Sequence, residues 1–262
     1  MTRYLKIYYS LTRINFSQLL AYPADFIINT INSLAWSGFS VLSIYLLSSK
    51  SGTLYGWTPI QLILLTAIYN AIMGIYRVLF DINFYQLSKI INLGQLDGYL
   101  LRPIDSQFQM SLWYINYSGV LRLVIAFLFI LYLLPLNHTA LTVFNILPFL
   151  FVIMAGVIIF YSINFFFITF LIWYPRLSNI IELINIVIGS ARYPKEMYSE
   201  AAIYLFYIML PVILIASTAT NILIHKNYLQ DSILIFIFAV ILFILSRFFW
   251  KFALRYYTSA SG

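Results

Sequence analysis

Residues 146–173 read Ile-Leu-Pro-Phe-Leu-Phe-Val-Ile-Met-Ala-Gly-Val-Ile-Ile-Phe-Tyr-Ser-Ile-Asn-Phe-Phe-Phe-Ile-Thr-Phe-Leu-Ile-Trp, 28 residues without a charge. A helix needs about 20 apolar residues to cross the about 30 Å of bilayer hydrocarbon. This stretch is long enough to span, and others like it lie on both sides. Apolar runs occupy 25–47, 58–80, 112–134, 178–192, 201–224 and 232–250. The whole chain is 63% hydrophobic and 9% charged, with a mean hydropathy of +0.91. A soluble domain is about 45–50% apolar and about 25% charged. So few charges could not cover the surface of a soluble fold this size, whereas a lipid-facing surface removes the need. The chain reads as an all-α polytopic membrane protein.

Charge decides how the runs are counted. With the N-terminus in the cytoplasm and 178–224 making one split crossing, the cytoplasmic side collects Arg3, Lys6, Arg13, Arg77, Lys89, Arg102, Arg122, Arg176, Arg247, Lys251 and Arg255. Lys50 and Lys226 face outward, and Arg192 and Lys195 lie inside the split segment. Basic residues collect on the cytoplasmic side of membrane proteins. Seven full crossings would put Arg247, Lys251 and Arg255 outside, so six spans with both termini cytoplasmic is the expectation. Residues 1–262 then form a single transmembrane domain: an interfacial segment at 1–22, spans 1–2 at 25–80, a cytoplasmic segment at 81–111, spans 3–4 at 112–173, the split fifth span at 178–224, and span 6 at 232–250. No cleavable signal is expected, because Arg3, Lys6 and Arg13 are spread over several turns and no short apolar core with a cleavage site follows.

Within 1–22, Arg3, Lys6, Ser10, Arg13 and Ser17 share one helical face, opposite Tyr4, Leu5, Tyr8, Leu11 and Leu19. Such a helix suits the headgroup region; the other reading is that it simply begins span 1. Pro23 redirects the chain. In the fifth segment, 192–200 are too polar for lipid, and Pro194 and Pro211 interrupt the helix. Irregular backbone at membrane depth must be sheltered by protein or water, so a broken, re-entrant course after helix 5 is expected, with two full spans as the alternative.

Function classes narrow in the same way. There are no cysteines, and His138 and His225 are too far apart to suggest a metal site. No His-Glu-x-x-His motif and no intramembrane Ser/His or Asp/Asp pairing is apparent. No catalytic residue and no metal is therefore expected. Nor does a Gly-x-x-x-x-Gly-Lys-Ser/Thr phosphate loop occur. Energy for transport is expected from a separate ATPase or from an ion gradient. The ion-coupled reading would want carboxylates at the midplane, yet Asp25, Asp81 and Asp231 read as helix ends. Glu182, on a stripe with Asn179, Asn185, Gly189 and Arg192, reads as shallow.

Polar residues recur on one face of span 1: Asp25, Asn29, Asn32, Trp36, Ser40 and Ser43. Such a face avoids lipid, and it either lines a pathway or packs on another helix. Asn164, Asn185 and Thr218 are further candidates for pathway lining.

The cytoplasmic segment contains Leu93-Gly-Gln-Leu-Asp-Gly-Tyr-Leu-Leu-Arg-Pro103. Gly94 and Gly98 permit a tight turn, Pro103 fixes the exit, and a short helix between them could present Leu96, Tyr99, Leu100 and Leu101. Apolar residues on such a loop either dock onto a partner or pack on the protein's own helix ends.

The pattern Gly-x-Leu-Asp-x-x-Leu-x-Arg-Pro at Gly94–Pro103 resembles the signature of one branch of the ABC-2-type permeases. Gly56-Trp57, the aromatic end of span 4 at Phe165–Trp173, Arg192-Tyr193-Pro194 with Tyr198, and Leu210-Pro211-Val212 are similar in the same order. The chain departs from the pattern at Ser217-Thr218-Ala219-Thr220, where that branch tends to carry another proline. The resemblance implies an exporter subunit in the plasma membrane of a prokaryote, paired with a second, identical or homologous permease and two copies of an ATPase, which would bind the ATP and Mg. It further implies that residues 1–22 are the elbow helix and that the outer helices of the fifth segment cap the pathway. A coupling helix between spans 2 and 3 would be formed around Leu93, Gly94, Leu96, Asp97, Gly98, Tyr99, Leu100, Leu101, Arg102 and Pro103.

Overall fold

The computed structural model of the protein describes residues 2–49, 53–137, 139, 142–175, 177, 179–198 and 210–258. Lys50, His138, Arg176, the stretch 199–209 and the last four residues lie outside the described residues, and so does part of the expected outer cap. All regular structure among the described residues is helical, apart from an isolated bridge between Leu54 and Trp57. Five helical stretches are long and apolar enough to cross a membrane: Pro23–Ser49, Pro59–Asn92, Ser118–Leu136, Phe144–Ile172 and Leu229–Arg255. A shorter apolar helix covers Pro211–Leu223.

Helix α1 (Thr2–Ala21) is separated by the single residue Tyr22 from Pro23, the first residue of α2 (Pro23–Ser49). Proline suits a first helical position, where its missing N–H costs nothing. The turn before α3 (Pro59–Tyr76) uses two left-handed residues, Tyr55 (φ 52°) and Gly56 (φ 80°), and is closed by Leu54–Trp57 backbone hydrogen bonds of 2.9 and 3.0 Å. Thr58 and Gln61 then form a reciprocal capping box ahead of Pro59.

The helix that carries the second apolar run does not end near residue 80. It passes through a π-helical segment, Arg77–Asp81, and continues as α4 (Ile82–Asn92). A π turn leaves carbonyls without their usual partners, and distant residues supply replacements. Asn116 N donates to Val78 O (3.0 Å), and the buried Asn83 amide binds Leu79 O and Tyr114 O (both 2.8 Å). The short helices α5 (Asp97–Leu100) and α6 (Ser106–Leu112) follow, then α7 (Ser118–Leu136) and α8 (Val143–Thr169). The fifth segment is broken into α9 (Ile180–Gly189), 3-10 turns at Ser190–Arg192 and Lys195–Met197, and α10 (Leu210–Leu223); α11 (Leu229–Arg255) closes the chain.

The centre of the bundle is α3, α8 and α10. Every residue from Pro211 to Leu223 is buried. A Cβ on Gly156 of α8 would stand 2.4 Å from Ile215 Cγ2, so these two helices touch where only glycine fits. Helices α3 and α7 meet closely too, with Gly74 against the Leu123 backbone. Aromatic rings join α8 and the 3-10 turn after it to α11: Phe166 and Phe170 to Phe249 at 4.5 and 4.8 Å, and Phe165 to Trp250 at 5.2 Å. Such pairs add about 0.5–1.5 kcal/mol each beyond area burial.

The two ends of the bundle differ. At the distal end, Lys195 pairs with Asp231, Glu196 accepts from Trp57 Nε1 (3.0 Å), and Lys226 lies 4.7 Å over the Trp57 ring. Lys195 N also donates to Ser217 Oγ (3.2 Å), which sets residue 195 halfway along α10. At the basal end lie α1, α5 and α6, with the sequence motif among them.

Candidate functional site

The segment 93–107 is shaped by its own residues first. Helix α4 stops at Gly94, whose φ of 65° is left-handed, and Gly94 N and Gln95 N cap it by donating to Ile91 O and Ile90 O. Glycine takes that conformation without a Cβ penalty. The chain then forms the single-turn helix α5 and is carried by Pro103 to Asp105. There the Asp105 carboxylate caps α6 by accepting from Phe108 N (3.0 Å).

This segment has an inner and an outer side. Leu96 is fully buried in the core, with Tyr99 and Leu100 packed against it. Arg102 lies over the rings of Tyr99 and Trp113, 4.8 and 5.0 Å from their centroids. With its amide turned to match its neighbours, buried Gln109 donates to Tyr99 O and accepts from Arg102 Nη1. Asp97 opens α5, and Tyr257, just beyond α11, lies beside it. On the outer side, Leu101 is 86% exposed and Leu93 57% exposed; Gly98 and Pro103 are exposed as well. A Cβ built on Gly98 would meet nothing within 4 Å. Of the four apolar residues expected to be presented, Leu101 faces outward and Leu96 faces inward. Leu96 follows the turn at Gly94 and drops onto the bundle, a direction the spacing alone did not reveal.

The segment is bolted to both termini. Arg247 of α11 forms an ion pair with Asp105 and donates to Gln107 Oε1 (2.9 Å), and Trp250 Nε1 donates to Ser106 Oγ (3.0 Å). From α1, Arg3 Nη2 donates to Pro103 O (3.1 Å) and the Tyr4 hydroxyl accepts from Asp105 N (3.4 Å). Asn15 and Tyr117 fasten the rest of α1 to the same region, through Trp113 O (3.1 Å) and Thr12 O (2.9 Å). The Arg247 hydrogen bond, ahead of any other influence, holds the Asp105 carboxyl below its ordinary pKa. Gln107 passes the contact inward to the Tyr161 hydroxyl (2.8 Å), which Ser111 also meets at 2.9 Å. Tyr161 in turn stacks on Phe165. Gln107 and Ser111 lie 54 and 50 residues from Tyr161 in sequence, and no local pattern announces those contacts.

The pathway candidates separate. Asn29, Asn32 and Trp36 all point away from the chain's own core, Trp36 with 59% of its surface exposed. Asn164 and Thr218 are fully buried within the bundle, and Asn185 is half-buried. Glu182, in the first turn of α9, is exposed, and Arg192 is turned back to Gly189 O (2.9 Å) and its neighbour's ring. The stripe of α9 therefore does not converge on one point. Among the described residues no group of three or more His, Cys, Asp or Glu could hold a metal ion.

A helical bundle with five membrane-length helices and a sixth, shorter apolar one defines a multi-pass membrane protein. A family model described as ABC-2 family transporter protein matches residues 34–261, and the chain belongs to that family. It is a transport permease. No curated protein and no solved structure matches the chain.

Proposed function

We propose that this chain is the membrane subunit of an ATP-driven exporter in the plasma membrane of a prokaryote. It would form half of the translocation path beside a second permease, with both termini and the segment 93–103 in the cytoplasm. Two copies of a separate ATPase would dock below. The observation that carries this reading is the two-sided segment: Leu96, Tyr99, Leu100 and Arg102 hold it to the bundle, while Leu93 and Leu101 stand free beside an open glycine. Exposed leucines on a rigidly held turn are suited to a groove on a partner. When ATP draws the ATPase pair together, a push on this turn would pass through Asp105 to Arg247 of α11 and through Pro103 to Arg3 of α1.

The test uses the outward residues, since an arginine at buried Leu96 would break the fold instead. L93E/L101E is expected to abolish co-purification with the ATPase and ATP-driven export, with thermal stability unchanged. Normal co-purification and export by that variant would sink the assignment. Reconstitution driven by ATP in one arm and by a pH gradient in the other separates this reading from an ion-coupled carrier.

A further inference from the structure

Helices α2, α3 and α7 line an open cavity of about 640 Å³ that lies apart from the segment 93–103. Its size falls within the about 300–1,000 Å³ of small-ligand sites. The walls are mainly apolar and aromatic, among them Leu42 and Tyr45 of α2, Ile63 of α3, and Phe129 and Tyr132 of α7. Asn70 of α3 is a polar residue in this wall, and it is 1% exposed. Its amide nitrogen donates to Ser40 Oγ (2.9 Å) and Thr66 O (3.0 Å), which turns its oxygen toward Arg122 Nη2 at 2.5 Å. The wall residue thus holds a guanidinium one hydrogen bond away from the cavity.

That guanidinium is short of acceptors. Arg122 is 4% exposed, and its Nε and Nη1 meet no acceptor among the described residues. Nε of Arg77 is buried without a partner too. Asp81 is near enough to act on both arginines through its charge, yet it forms no ion pair with either among the described residues. A buried charge without an acceptor costs several kcal/mol, and intramembrane cations usually mark a functional site. The neighbouring stretch, Arg77–Asp81, is π-helical, and such turns frequently accompany function.

We infer that the cavity takes an amphipathic anion. Its apolar body would lie between α2, α3 and α7, and its phosphate or carboxylate would pair with Arg122 beside Asn70. Guanidinium matches either oxyanion with two parallel hydrogen bonds. A membrane lipid and an exported amphiphile share this chemistry.

The probe is phosphatidylglycerol against phosphatidylcholine on the full chain in detergent, read by native mass spectrometry. Wild type is expected to retain phosphatidylglycerol preferentially. R122Q should lower that preference about tenfold, the worth of one charge-assisted hydrogen bond, and R122K, which keeps the charge but loses the paired hydrogen bonds, should keep only part of it. Gly38 lines the cavity and an added Cβ there meets nothing within 4 Å, so G38F is expected to reach into the space and lower binding of both lipids, with thermal unfolding checking that the fold is kept. Equal retention of the two lipids by wild type overturns the site. So does an undiminished preference in R122Q or, should that variant not fold, unchanged binding in G38F. A second arm adds the ATPase and ATP in liposomes and rests on the exporter reading. Movement of labelled phosphatidylglycerol between leaflets that R122Q abolishes identifies cargo; binding without movement identifies a structural lipid. Failure of binding overturns the site alone, whereas the exporter reading stands or falls on L93E/L101E.

Discussion

Helices α2 and α10 are both apolar helices with a polar share, and they end in opposite surroundings. In α10, Ser217, Thr218, Thr220 and Asn221 are buried in the chain's own core, against α8 and α3. In α2, Thr30, Ser33 and Ser40 turn inward, while Asn29, Asn32 and Trp36 turn away from the rest of the chain. Hydrocarbon tolerates neither amide. A polar face in such a sequence therefore means shelter, and only packing says where the shelter is. For α10 it is internal. For α2 the chain supplies little, a bond from Asn29 Nδ2 to Asp25 O (2.8 Å), and the rest of the exposed face fits cover by the proposed second permease or a water-filled path.

The largest expected effect tests the internal half of that contrast. Gly156→Val places a Cβ against Ile215 and should cost about 1–3 kcal/mol or more by overpacking. Gly38→Val, on the open side of α2, should change stability by no more than about 0.5 kcal/mol. Thermal unfolding of the two in one detergent checks this, and equal losses would remove the distinction between the helices.

Next comes the external half. N29L/N32L should leave the isolated chain as stable as wild type and lower ATP-driven transport about tenfold, equivalent to about 1.4 kcal/mol. Full transport would show that this face meets only lipid.

Smaller is the contribution of the basal bolt. Arg247 holds the Asp105 carboxyl below its ordinary pKa. A depressed native pKa stabilises the fold above the ordinary carboxylate value of about 4, and the gain is lost as pH falls through the depressed value. Both side chains are about a third exposed, so screening limits the pair to about 1 kcal/mol. D105N should therefore melt below wild type at pH 7 and converge with it in acid. A gap that stays constant across pH would mean that Asp105 acts only as the cap of α6.

The smallest effect concerns Thr218. Its Oγ1 is buried without a partner among the described residues, so T218V should be neutral or slightly stabilising, within about 0.5 kcal/mol. A larger loss measured by the same unfolding would reveal an acceptor for the hydroxyl, and loss of transport at unchanged stability would return Thr218 to the pathway.

Much of the membrane architecture was legible. The charge-free run 146–173 announces α8 because only a bilayer accommodates 28 such residues as surface and core together. Thr58, Pro59 and Gln61 mark the start of α3 locally. The apolar run that begins α3 stops near residue 80, but the helix does not: it continues through the π segment into α4, with Asn83 and Asn116 replacing the lost bonds, and no local signal announces that continuation. The motif at 94–103 was visible as glycines, leucines and Arg-Pro, but its division into an inner face at Leu96 and an outer face at Leu101 was not. Nor were the Arg122–Asn70 and Arg247–Asp105 contacts, whose partners are separated by 52 and 142 residues.

By itself, then, the sequence determined that this protein is a bundle of membrane-length helices with a glycine-bounded turn between two of them. Hydrophobic length, proline, glycine and capping residues act over a few turns, and a reader of the chain sees them directly. Tertiary structure alone decided which side of the turn is free, which polar faces are sheltered from within, and which buried arginine waits beside a cavity. Those outcomes depend on helices meeting at distances no local pattern encodes, as where α8 and α10 touch at Gly156 and Ile215 with no room for a Cβ.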